Sequence, residues 1–113
     1  MQTQLVVKTS KSGKTSNLYL RAFGKDVKVI GMWESFSGWY WYATEKCGKQ
    51  DSVMADGSIY KDDQIYYGFV QGLEEEWGYF AESQLKSMPG RIWKVPKTNW
   101  TFSGRGDRIN EQS

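Results

Sequence analysis

The chain has 113 residues, a net charge of +2, 16% aromatic residues, a single cysteine and no histidine. That length fits one domain with one core, and the missing histidine excludes histidine-dependent catalysis and, with one cysteine, the usual zinc ligand sets. No apolar run exceeds the five residues 39–43, against the roughly 20 needed to cross a bilayer, and the first ten residues lack a basic segment followed by an apolar one, so a cytoplasmic setting is expected.

In chain order, Leu5, Val6 and Val7 fit a first strand and residues 10–16 a polar turn. Residues 18–23 follow as a second strand, with Leu18, Leu20 and Ala22 facing one way and Tyr19, Arg21 and Phe23 the other. The turn Gly24-Lys25-Asp26 leads into one strand over 27–33, and Ser35 to Gly38 reverses the chain again. Residues 39–45, Trp-Tyr-Trp-Tyr-Ala-Thr-Glu, carry large rings on both faces of a pleated strand. Such a strand either is covered twice or shows an aromatic surface to something outside the fold.

Residues 47–63 are too long for a structureless connection in so small a chain. Asp56-Gly57 has the type I′ turn preference, which places a small protruding hairpin there. Residues 65–71 and 77–81 make another strand pair around an acidic turn at 72–76. Residues 82–88 form the one short helix, with Leu85 and Met88 on one side and Pro89-Gly90 as the stop. A last strand follows at 91–95. The polar residues 103–113 have too little apolar content to pack and are expected to be a disordered tail behind a single domain, 1–102. Six or seven short strands and one helix give a mainly β, β-rich α+β fold, an antiparallel barrel or sandwich.

Charge divides along the chain: residues 1–31 sum to +5, residues 32–82 to −7 and residues 83–113 to +4. If the two ends meet in space they make a basic face able to attract an anionic partner; lysines on strand edges, which prevent unwanted pairing, would give the same count. Gly13-Lys14-Thr15 imitates the end of a phosphate-binding loop, but the first glycine is replaced by Lys8 and a strand follows where a helix is required. Arg105-Gly106-Asp107 is an accidental tripeptide in a polar segment. Cys47, flanked by Lys46 and Gly48, is an incidental thiol with no partner base. No cofactor or metal site is read from the sequence.

Trp33, Trp39, Trp41, Tyr67, Phe69, Trp77 and Tyr79 sort by period two mostly to one face and are expected in the core. Tyr40, Tyr42, Tyr66 and Phe80 sort to the other. On that face Tyr40, Tyr42 and Tyr66, with Lys28 on a neighbouring strand, are the expected partner-contact residues.

The successions Trp-Tyr-Ala-Thr-Glu at 41–45, Tyr-Gly-Phe-Val-Gln-Gly-Leu-Glu at 67–74 and Trp-Gly-Tyr-Phe at 77–80, ahead of Ser83-Gln84-Leu85, resemble an uncharacterised domain-of-unknown-function family carried on plasmids and phages. The resemblance implies a small cytoplasmic accessory protein of mobile DNA and brings no catalytic residues with it. The expected function is a non-enzymatic binding module that takes single-stranded nucleic acid on an aromatic and basic surface. The alternatives are a factor that recognises a host protein, and a small enzyme built on a carboxylate pair.

Overall fold

The computed structural model describes residues 2–87 and 90–112, and among them the fold is β-rich, with nine strands and one short helix. The first sheet is built from β1 (Gln4–Thr9), β2 (Ser16–Ala22), β3 (Lys25–Lys28) and β9 (Arg108–Gln112), in the order β3-β2-β1-β9. The second takes β4 (Gly31–Ser35), β5 (Tyr40–Val53), β6 (Ile59–Gln71), β7 (Glu75–Ala81) and β8 (Ile92–Lys94), in the order β7-β6-β5-β4-β8. The helix α1 (Glu82–Lys86) follows β7; the expected helix end at Met88 and Pro89 lies outside the described residues.

Three layers result. Leu5, Val7, Leu18 and Leu20 of the first sheet pack onto Met32, Tyr42 and Phe69 of the second. On the opposite face of the second sheet, Trp33, Ala43, Tyr66 and Phe80 meet Leu85 of α1. The aromatic strand β5 is therefore covered twice along its first residues, which is why it carries rings on both sides. The expected strand over 27–33 is in fact two strands in different sheets. Val29 N–H still bonds Leu18 O of the first sheet (2.9 Å), whereas Ile30 N–H already bonds Ala43 O of the second (2.8 Å).

The expected disordered tail is corrected. Residues 108–112 form β9, which pairs in parallel with β1 from Leu5↔Arg108 to Thr9↔Gln112. Polar contacts replace the missing apolar ones: the Arg21 guanidinium holds Asp26 at 2.6 Å and Glu111 at 2.9 Å, and Lys8 holds Asp26 at 2.8 Å, so one charged network crosses the whole outer face. Ahead of β9, the Arg105 N–H donates to Gln71 Oε1 (3.1 Å) and its guanidinium to Gly72 O (2.6 Å). The two basic ends of the sequence do meet in this sheet, yet two of their cations are neutralised where they meet.

Beyond Tyr66, β5 and β6 continue as a two-stranded arm that turns at Asp56-Gly57, as the sequence leads one to expect. Only Gly57 of that pair has positive φ, so the turn is the type I form followed by a left-handed glycine rather than type I′. Two register shifts between β5 and β6, at Lys46/Lys49 and Gln50/Ser52, and a left-handed Asp62 (φ 53°) distort the arm. Fully buried Asp63 then accepts from Ser52 Oγ (2.6 Å) on the arm and from Ser83 Oγ (2.6 Å) and N–H (2.8 Å) at the start of α1. Burial pushes the carboxyl pKa up, but these three donors outweigh it and hold it below the ordinary carboxylate range.

Two predictions follow from β6. At Gly68 a Cβ would strike the Tyr42 carbonyl of β5, whereas at its cross-strand partner Gly78 a Cβ would meet nothing within 4 Å. Gly68→Ala is expected to lower stability by about 3 kcal/mol, and Gly78→Ala to leave it unchanged or raise it by about 0.5 kcal/mol; equal urea midpoints would contradict the strand approach. Because the folded pKa of Asp63 is depressed, its contribution is complete above the unfolded value and disappears as pH falls through the folded one. Asp63→Asn should therefore cost about 2 kcal/mol or more at neutral pH, and the gap to the wild type should close below about pH 4. Urea titrations of both proteins at the two pH values read this out.

Candidate functional site

The register of the second sheet decides which rings share a face. Trp33 pairs with Trp41, and Trp41 with Val70, on the side of α1. Tyr42 pairs with Phe69, and Phe69 with Trp77, on the side of the first sheet. The seven rings expected together are thus split between the faces. Trp33 and Phe69 are buried, Trp39, Trp41, Tyr67 and Trp77 are half-buried, and Tyr79 is 71% exposed.

Helix α1 has only five residues and covers Tyr66 and Phe80, leaving the rest of that face open. Two clefts meet there at Ile92. One, of about 540 Å³, is lined by Trp33, Tyr66, Leu85, Lys86 and Lys94 among others. The second, of about 300 Å³, is lined by Phe36, Trp39, Trp41 and Arg91 with Ser35 and Ser37. These two adjoining clefts, both with aromatic linings, are called the trough below.

The lining is seated on backbone. A Cβ at Gly31 would lie 2.9 Å from the Trp33 ring, and one at Gly72 would lie 2.5 Å from the Trp39 ring, so both indoles occupy room that only glycine leaves. Trp39 and Trp41 lie 6.0 Å apart, tilted by 34°. Cations stand over the rings: Lys94 Nζ is 5.6 Å from the centre of Trp33, and the Arg91 guanidinium is 5.5 Å from that of Phe36, within cation–π range. Among the described residues neither makes an ion pair, whereas Lys86 on the same rim is held by Glu82 at 3.2 Å. That carboxylate raises the Lys86 pKa.

The expected contact set is corrected by burial. Tyr42 is fully buried, its hydroxyl donating to Gln71 Oε1 at 2.7 Å. Tyr40 is half-buried on the same side and donates to Glu34 Oε2 at 2.7 Å; that bond first, and burial second, raise its pKa. The segment around Gly104 and Arg105 lies over both hydroxyls: the Gly104 backbone pulls the Tyr40 pKa down against those two effects, and a Cβ at Gly104 would strike the Tyr42 hydroxyl. Tyr66 belongs to the opposite face, 7% exposed in the trough between Trp33 and Phe80, with its pKa raised chiefly by burial. Lys28 is exposed but lies in the other sheet, opposite Tyr19. Of the four, only Tyr66 lines the trough.

Phe36, Arg91 and Lys94 are the residues that sequence reasoning missed. Phe36 stands in a Ser-Phe-Ser-Gly turn, where a ring cannot reach a core, and this was the available signal. Arg91 precedes and Lys94 ends a three-residue edge strand, and neither carries such a mark. In comparisons with protein-family models, curated proteins and solved structures, nothing matches this chain.

The distinction between core ring and trough ring is measurable. Tyr42→Ala is expected to lower stability by about 3–5 kcal/mol, while Phe36→Ala, 67% exposed, should change it by no more than about 0.5 kcal/mol. Chemical denaturation of the two variants checks both.

Proposed function

We propose that the chain is a non-enzymatic binding module that takes single-stranded nucleic acid along the trough. Bases stack on Trp39, Trp41 and Phe36, while Arg91 and Lys94 face the phosphates. The observation that carries this reading is the pair Arg91 and Lys94, each set over a ring of the trough and neither engaged by a carboxylate among the described residues. Half-exposed rings with interleaved cations supply stacking area and charge together, and stacking serves any base. A cytoplasmic setting goes with this reading, and the resemblance to plasmid and phage proteins adds a place on mobile DNA; among the described residues no helix is long and apolar enough to cross a membrane. Acid–base chemistry has less support. The carboxylates with displaced proton affinity, Asp26, Asp56, Asp63 and Glu111, are all held downward by hydrogen bonds or cations, opposite to what a general acid needs.

A protein partner is the second reading, favoured by the same mixture of tryptophan and arginine, which is the composition of interface hot spots. Salt separates the two. Fluorescence anisotropy with labelled single-stranded DNA and RNA should show binding that weakens steeply as salt rises. Arg91→Ala with Lys94→Ala should lower the slope of log affinity against log salt by about 1.4, and Phe36→Ala should weaken binding about tenfold. Lys28→Ala, on the other sheet, should do neither. Absence of affinity at low salt would remove nucleic acid as the ligand.

A further inference from the structure

The strand β7 closes one side of the second sheet, and its outer edge has no strand partner among the described residues. Exposed edges invite pairing and are normally defended by shortness, lysine, proline or bulges. The other edges here are so defended, the free edge of β5 in the arm by Glu45, Lys46, Lys49 and the register shifts. β3 has four residues with lysine at both ends, β8 has three, and β9 carries Arg108 and Glu111. β7 has seven residues, pairs with β6 without a register shift, and over Trp77, Gly78, Tyr79, Phe80 and Ala81 has neither charge nor proline.

We infer that β7 is a self-association edge, along which two copies of this chain pair antiparallel about Gly78. The register is self-complementary. With Gly78 opposite Gly78, Trp77 faces Tyr79 of the second copy, and the reverse contact repeats it. Tyr79 stands 5.0 Å from Tyr67, and Tyr67 stacks 6.0 Å from Trp77, so the pairing extends an existing ladder of rings and covers the 71% exposed Tyr79. The charges also agree: Glu75 and Glu76 come opposite Ala81 and Phe80 of the second copy, so the carboxylates of the two chains do not meet. A two-fold axis through Gly78 closes the assembly as a dimer, with no free β7 edge left to propagate a fibre. The edge lies at the opposite side of the second sheet from β4 and β8, although Phe80 packs 5.7 Å from Tyr66 of the trough, and the inference stands whatever the trough binds.

Sedimentation velocity over a concentration series, on the full chain, should show a monomer–dimer equilibrium. Tyr79→Lys should weaken it at least tenfold while the circular dichroism stays unchanged. Gly78→Cys in a Cys47→Ser background brings two thiols across the axis within disulfide reach, in a place where a Cβ meets nothing within 4 Å. It should give a covalent dimer on mild oxidation, and Glu75→Cys in the same background should not. A chain that stays monomeric at every concentration overturns the inference. So does a dimer that survives Tyr79→Lys, or one in which Glu75→Cys cross-links as readily as Gly78→Cys.

Discussion

Gly68 lies so close to the carbonyl of Tyr42 that no side chain fits between β6 and β5, and the register Tyr42↔Phe69 goes with that approach. Shifting β6 by one residue would exchange its faces, sending Phe69 toward α1 and Tyr66 toward the first sheet. Either ring would then meet the wrong layer. The packing of the first sheet, the seat of the helix and the open trough all depend on that single approach of two backbones, because the second sheet is the only layer that touches both others.

Much of the fold is legible in the sequence because it is local. Alternation in 18–23 marks β2, Asp56-Gly57 marks the turn of the arm, and four successive rings mark a strand with large side chains on both faces. Register is not local. Ring sets on β5, β6 and β7 were each sorted correctly by period two, but which set joins which depends on strand alignment, and nothing within a strand states that. The reading of 27–33 as one strand failed for a related reason: Val29 and Ile30 are both apolar and extended, and the change of sheet between them shows only in their hydrogen-bond partners.

The two site-level misreadings have one cause. Residues 103–113 were expected to be disordered because they lack apolar content, and Tyr40 and Tyr42 were expected to be exposed. The structure lays Gly104 and Arg105 over those two hydroxyls, so the segment judged unable to pack shares with the first sheet in covering them, Tyr42 fully and Tyr40 by half. What orders the segment is polar: the ladder to β1, the Gln71 amide, which also donates to Arg105 O and Glu75, and the Arg21–Glu111 pair. Counting hydrophobic residues misses order obtained from buried amides and ion pairs, whose partners lie 34 and 90 residues away in the chain.

Charge counted along the sequence misplaces the uncompensated cations in the same way. The most basic third, residues 1–31, contributes Lys8 and Arg21 to a network that Asp26 and Glu111 neutralise, and Lys25 and Lys28 to the edge strand β3. Arg91 and Lys94 belong to a less basic third, but they stand over aromatic rings and meet no carboxylate among the described residues. An incoming anion responds to uncompensated charge at low-dielectric walls rather than to the total. Two such cations, one over Phe36 and one over Trp33, therefore outweigh a larger number of lysines dispersed among turns and paired acids, and the surface proposed above lies on the sheet that the sequence marks as acidic.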